Sequence, residues 1–246
     1  MNAHRFRPVF IGRMARTLGL AAILLGALSI PTAHAQVHAD GAMKLTFGLP
    51  RAEFADQLDS FGFGGSLSAA AGFTGSPLRI GADLGFMIYG HERRNEPFST
   101  TIPDVTVDVV TDNSVATGHL FLRFQPDFPG MKPYADALFG FKYLFTETRI
   151  ESEQFDQNEV VRSTNFDDTA LSYGFGGGVK IHLFTPKAED APASVYLDLG
   201  AKYLMGSEAE YLKKGSIRRE DGTVTFDVSR SRTDMLLLQF GLGITF

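Results

Sequence analysis

From Leu236 to Phe246 every second residue is large and apolar: Leu236, Leu238, Phe240, Leu242, Ile244 and Phe246, with Gln239, Gly241, Gly243 and Thr245 between them. A helix would scatter these residues around its circumference, whereas a strand sends successive side chains to opposite faces. The segment is therefore a strand with one wholly apolar face and one face of small or polar groups. Few architectures bury such a stripe and still tolerate what lies behind it.

The same period recurs along the chain and predicts eight strands. Met43, Leu45, Phe47 and Leu49 mark the first; Phe61, Phe63, Leu67, Ala69, Ala71 and Phe73 the second; Leu78, Ile80, Ala82, Leu84, Phe86 and Ile88 the third. Leu120, Leu122 and Phe124 mark the fourth, Ala135 to Phe145 at odd positions the fifth, and Leu171, Tyr173, Phe175, Val179 and Ile181 the sixth. Val195, Leu197, Leu199, Ala201, Tyr203 and Met205 make the seventh, and the C-terminal stripe the eighth.

The opposite faces separate a soluble sandwich from a barrel in lipid. They hold Lys44, Arg79, Asp83, His119, Arg123, Asp136, Lys142, Lys180, His182, Asp198 and Lys202, interleaved with glycines such as Gly64, Gly81, Gly140, Gly174 and Gly176. In a sandwich that charged face meets water. In a closed eight-stranded barrel it meets itself, so long charged side chains must pair across a narrow interior and small residues must make room for them. The connections favour the barrel. Pro50 to Ser60, His91 to Ser114, Glu151 to Asp168 and Lys213 to Thr233 are long or charged, and they alternate with the tighter links 74–77, 127–132 and 185–192. Long loops outside and short turns inside are the rule for outer-membrane barrels. The expected fold is thus all-β, an eight-stranded antiparallel up-and-down transmembrane barrel.

Residues 1–35 read as a cleaved signal peptide, leaving a barrel domain over 36–246. Arg5, Arg7, Arg13 and Arg16 form a basic start, Leu18 to Ile30 an apolar run, and Ala33-His34-Ala35 a small-x-small cleavage site. Either Met1 or Met14 can serve as its start. The run has 13 residues, short of the roughly 20 that span a bilayer as a helix. Without the four arginines of the leader the formal charge falls from −5 to −9, which excludes nucleic acid as a partner because phosphate binding needs a concentrated basic face. The chain has no cysteine, so it has no disulfide and no thiolate metal site.

The stripe ending at Phe246, with Ile244, Leu242, Phe240 and Leu238 behind it, is similar to the terminal signal that barrel-assembly machinery recognises in outer-membrane proteins. Pro133-Tyr134 with Gly140-Phe141, and the run Tyr173 to Gly178, resemble strand openings and Gly-aromatic runs of the small outer-membrane β-barrel family, which includes the outer-membrane protein A barrel and the opacity-type barrels. The resemblance covers residues 41–246 as a pattern. It implies a fold, an outer-membrane address and contact with the assembly machinery during biogenesis, but no shared activity. One departure is plain. There is no Trp, although interfacial belts favour Trp and Tyr, so Phe47, Phe61, Phe73, Phe124 and Phe246 must carry the belt.

No residue set reads as a catalytic centre, a metal site or a cofactor site. Gly174 to Gly178 is followed by Val179, Ile181 and Leu183, which continue a strand where a dinucleotide loop needs a helix. His119 and His182 fall on inward positions with no His-x-Ser motif nearby. The cations Lys213, Lys214, Arg218 and Arg219 stand among Glu208, Glu210, Glu220 and Asp221 as a mixed-charge loop, one that offers lipopolysaccharide phosphates a contact. Asp167-Asp168, Glu151 and Glu153 read as solvated carboxylates, with weak calcium binding as the alternative.

Three expectations follow. The lumen is closed by ion pairs between Asp83, Asp136 and Asp198 and some of Arg79, Arg123, Lys142, Lys180 and Lys202, and the excess of cations is satisfied by water or backbone carbonyls. The last strand runs on from Thr223, through Val224, Phe226 and Val228, and the seventh continues through Ser207, Ala209 and Tyr211, so both rise beyond the membrane. Val105, Val107 and Val109 give a third raised piece whose parity demands a bulge near Asp112-Asn113. The expected role is a monomeric structural or surface-interaction (adhesion-type) barrel set in lipid and lipopolysaccharide, with a possible surface protein partner. The alternatives are a lipid-modifying enzyme and a narrow pore.

Overall fold

The computed structural model describes residues 37–58, 60–99, 102–151, 159–186, 193–220 and 223–246. The leader expected over 1–35 lies outside them, as do residues 152–158 and 187–192 of two connections. Eight strands close a barrel: β1 (Val37–Pro50), β2 (Gly62–Phe73), β3 (Leu78–Ser99), β4 (Ile102–Phe124), β5 (Met131–Glu151), β6 (Glu159–Phe184), β7 (Ser194–Gly206) and β12 (Met235–Thr245). Each pairs antiparallel with its sequence neighbour, and β1 closes the ring on β12, Met43 opposite Leu242 and Leu45 opposite Phe240. A ring leaves no barrel strand with an unpaired edge along its closed stretch.

All eight apolar stripes face outward. Met43, Ile80, Leu120, Phe139 and Phe175 are 60% exposed or more, while the intervening Lys44, Arg79, His119, Lys142 and Lys180 are buried. The expected Phe belt is in place: Phe61, Phe73, Phe124 and Phe246 are exposed, and Phe47 is half-buried between Phe63 and Phe240, its ring 5.1 and 6.0 Å from theirs.

Two of the expected loops are strand. β3 and β4 stay paired from Leu78–Phe124 up to Ser99–Ile102, and β5 and β6 up to Glu151–Glu159. Past the apolar stripes the alternation thins to the buried Val107 and Val110 of β4, and cross-strand polar pairs help to hold the ladder. The bulge expected at Asp112-Asn113 lies in β3: Ile88 pairs with Ser114 and Gly90 with Asn113, leaving Tyr89 as the extra residue. The β4 ladder to β5 is unbroken from Asp108 to Phe124, so Val107 and Val109 simply keep the inward parity of His119 and Arg123.

The raised seventh and eighth strands are not formed. β7 stops at Gly206, β12 starts at Met235, and the segment between folds as two small hairpin sheets, β8 (Glu208–Tyr211) with β11 (Ser229–Arg232) and β9 (Ile217–Glu220) with β10 (Thr223–Phe226). Ala209 and Tyr211, expected on the outer face, are 2% and 1% exposed. The chain leaves the wall at a close approach. A side chain on Gly206 would collide with Thr233, and the Asp234 carboxylate accepts the Gly206 N–H at 3.0 Å in place of the next ladder bond.

Narrow closure also constrains β5, where a Cβ on Gly140 would strike the carbonyl oxygen of Gly118 and crowd the His119 Cα. Neither obstacle is a flexible side chain. Gly140→Ala is expected to force the β4–β5 ladder apart and cost about 1–3 kcal/mol or more, read as a lower urea midpoint of the refolded barrel in detergent. An unchanged midpoint would show that the ladder yields there.

Candidate functional site

The barrel interior concentrates charge out of solvent, and all eight predicted lumen charges are buried there: Arg79, Asp83, Arg123, Asp136, Lys142, Lys180, Asp198 and Lys202. Arg123 donates two bonds to Asp136, at 2.7 and 2.8 Å, the fork geometry that makes Arg–carboxylate pairs strong. Lys202 meets Asp83 at 2.7 Å and Lys44 meets Asp198 at 2.9 Å. Tyr134 donates to Asp198 at 2.7 Å while its ring lies 4.0 Å under the Arg123 guanidinium.

A fourth acid, Asp40, joins the three that the sequence pattern places in the lumen. It takes Arg79 at 2.5 Å and Lys180 at 3.3 Å, and it lies inside because β1 begins at Val37, not at Met43, which gives Asp40 the parity of Lys44. Lys142 is the expected surplus cation. It donates to the carbonyls of Leu204, at 3.1 Å, and Thr233.

His119 and Ser172 meet through Nε2 and Oγ at 2.9 Å, although they stand far apart in sequence and no motif marks them. Ser172 is fully buried, His119 is 3% exposed, and the His119 Nδ1 has no partner. A working nucleophile needs access and an acid orienting its base. Here the nearby Asp83 is held by Lys202, so the pair packs the lumen.

Toward the mouth the interior turns apolar, with Met87, Val115, Leu144, Leu204, Met235 and Leu237 all buried. A lid covers this layer. It consists of residues 207–220 and 223–234 and the short helix α1 (Glu53–Gln57), whose Phe54 is fully buried edge-on to Tyr211, ring centroids 5.1 Å apart, and to Tyr89 at 6.1 Å. Tyr89 donates its hydroxyl to the Leu212 carbonyl at 3.1 Å. Gly215 donates to Glu92, and Arg94 to the Ile217 carbonyl, both at 3.0 Å.

Burial, and then the neighbouring Tyr211, push the Tyr89 phenol well above its ordinary value. An acid whose folded pKa is raised contributes stability below its unfolded pKa, near 10, and loses it as pH climbs toward the folded value. A phenolate also cannot donate to Leu212. Lid docking is therefore expected to weaken above about pH 10, seen as faster hydrogen exchange within 208–216, and Tyr89→Phe should flatten that pH dependence. A pH-independent lid would contradict the assignment.

Above the belt, β3 to β6 continue as a four-stranded raised wall. Its outer face carries Arg93–Asp108 at 2.6 Å, His91–Asp112 at 2.6 Å and Arg149–Asp112 at 2.9 Å. Its inner face carries Asn113 with Thr146 at 2.7 Å and Thr111 with Thr148 at 3.1 Å. The two edges of the wall differ. The β3 edge bears Glu92, Arg93 and Arg94, charged residues that blunt an edge, and the lid is tied to its Glu92 and Arg94. Among the described residues the β6 edge is bonded beyond β7 at its base, where Ser207 N–H bonds the Leu171 carbonyl and Glu210 N–H bonds Asp168, at 2.9 and 2.8 Å. Higher up, from Glu159 to Asp167, β6 pairs with β5 alone.

Of the other sequence candidates, Glu153 and Asp221 lie outside the described residues. Gly174 to Gly178 lies within β6. Asp167 accepts from Tyr143, and Asp168 from the N–H groups of Thr169 and Glu210. Among the described residues no three acids or histidines gather as a metal site. Lys214 and Arg218 are exposed, and Lys213 reaches Gln57 at 3.4 Å.

No family model and no curated protein sequence matches the chain. Among solved structures it is similar to Neisserial surface protein A, at 13% identity and a TM-score of 0.35 over 87% of this chain and 98% of that one. It is also similar to Ail of Yersinia pestis, solved with the heparin analogue sucrose octasulfate, at 13% identity and 0.35 over 87% and 100%. A major outer membrane protein of Thermus thermophilus gives 16% and 0.37 over 85% and 99%. At these scores the architecture rests on the chain's own strand register.

Proposed function

We propose that this chain is an outer-membrane β-barrel that neither conducts nor catalyses, and that it holds the β3–β6 wall at the cell surface as a docking platform for a protein partner. The belt supports the membrane reading. A closed ring satisfies every ladder group internally, the condition hydrocarbon imposes, and its whole circumference presents Leu, Ile and Phe. The barrel sits as a monomer among outer-membrane lipid and lipopolysaccharide, after the Leu238 to Phe246 stripe has engaged the assembly machinery.

The single observation that carries the platform reading is four strands prolonged past the belt while the lumen beneath them is filled by ion pairs and capped by a lid. A pore would need the reverse. The bare upper edge of β6 is suited to strand addition, in which a partner's extended segment continues the sheet through main-chain bonds.

Two deletions test this. Removing residues 147–164, a register-matched pair of ends in β5 and β6 that carries most of the upper β6 edge, should leave the heat-modifiable barrel intact and abolish adherence of expressing cells to immobilised serum and matrix proteins. Removing 215–229 from the lid should leave both intact. Failure of the first variant to form a barrel would make the wall part of the core, and steady conductance of the parent protein in planar bilayers would overturn the closed lumen.

A further inference from the structure

Strand faces that look into lipid are usually covered by their own side chains, so an outward glycine leaves a notch unless a neighbour fills it. The barrel shows both cases side by side. At Gly118 the Phe141 ring closes the notch, lying 2.9 Å from where a Cβ would stand. At Gly65 a Cβ would meet only the Lys44 carbonyl oxygen, at 3.4 Å, and no side chain covers it.

Gly65 sits in a cross-strand row between Leu45 and Phe86, with Phe240 beyond Leu45, and the next row holds Leu242, Met43, Leu67 and Leu84. Together these walls enclose an open groove of about 750 Å³ on the outer face of β12, β1, β2 and β3. Lys44 and Ser66 touch it from behind, but their side chains are committed inside, to Asp198 and Gln239. The groove thus offers no polar side chain to a peptide backbone or a sugar.

We infer that this groove is a binding site for one acyl chain of a membrane lipid, held longer there than along the convex stretches of the belt. The inference rests on the barrel's placement in a bilayer. The occupant follows from position: the groove lies among the belt residues, where hydrocarbon is the surrounding solvent, and its walls are Leu, Met and Phe. Because lipid tails are as apolar as those walls, burial supplies no hydrophobic gain. Selectivity comes from close dispersion contacts, each small and collectively substantial, which a notch supplies on three sides and a convex wall on one.

The absence of tryptophan makes the test direct. Phe86→Trp places a sole indole on the groove wall, and Phe139→Trp places one on β5, outside it. Each is reconstituted into vesicles of phosphatidylethanolamine mixed with its analogue brominated in the acyl chains, which quenches indole on contact. The Phe86→Trp reporter should be quenched at a severalfold lower brominated fraction than the Phe139→Trp reporter, and adding Gly65→Leu should bring the two curves together. Each variant is first confirmed as a heat-modifiable barrel. Coincident curves in the Gly65 protein would mean ordinary surrounding lipid only, and weaker quenching at Phe86→Trp would mean a protein occupant; either overturns the site. An absence of quenching in both reporters would overturn the membrane placement itself.

Discussion

Asp198→Ala is expected to destabilise the barrel by about 3–5 kcal/mol, the usual cost of leaving a buried ion unpaired, and so to shift the urea midpoint of the heat-modifiable band sharply downward. Asp198 is fully buried and accepts from both Lys44 and Tyr134, at 2.9 and 2.7 Å. Its loss strands an ammonium that no other carboxylate approaches as closely, because Asp40, Asp83 and Asp136 already hold their own cations. The double variant Lys44→Met with Asp198→Leu removes both ions and should recover most of the loss, since replacing a buried pair by apolar groups of similar size is often neutral or favourable. If the single variant matched the parent, the lumen would have to be wet enough to solvate Lys44, and the closed interior would be wrong.

The ion-pair layer was legible because parity is arithmetic. Once Leu236 to Phe246 set the outer face, each residue between belonged inside, and the eight named charges followed. Asp40 escaped because Val37 to Gly41 is too mixed to signal a strand, and only the ladder to β2 and β12 extends β1 that far. Pairing partners and the His119–Ser172 contact depend on register around the ring, which no local pattern encodes. The lid failed for another reason. Ala209, Tyr211, Val224 and Phe226 keep a strand's alternation, and alternation reports that a segment is extended without saying which surface it lies against. The turn inward at Gly206 depends on the side chain of Asp234, twenty-eight positions away in sequence. Of the raised wall, the Val105 to Val109 piece of β4 was legible, while the upper lengths of β3, β5 and β6 were hidden because they carry charge and hydroxyls in place of an apolar alternation.

The lid and the barrel are joined by few groups, and Phe54 is central to them, so Phe54→Ala should act on one and spare the other. Phe54 is the buried face of a five-residue helix, too short to hold together unaided. Its ring is fully buried against Tyr211 and Tyr89. Truncating a buried Phe costs about 3–5 kcal/mol, which is a factor of roughly a hundred to a few thousand in a local docking equilibrium. Hydrogen exchange across 208–232 is expected to accelerate by that order, and Phe54→Leu to restore most of the protection. Exchange across 235–245 should stay unchanged, because β12 is held on both sides by β1 and β7 whether or not the lid is down. Parallel acceleration in both segments would make lid and barrel one cooperative unit. In that case the apolar layer under the lid would contribute to barrel stability itself, and a closed mouth would be a condition of folding.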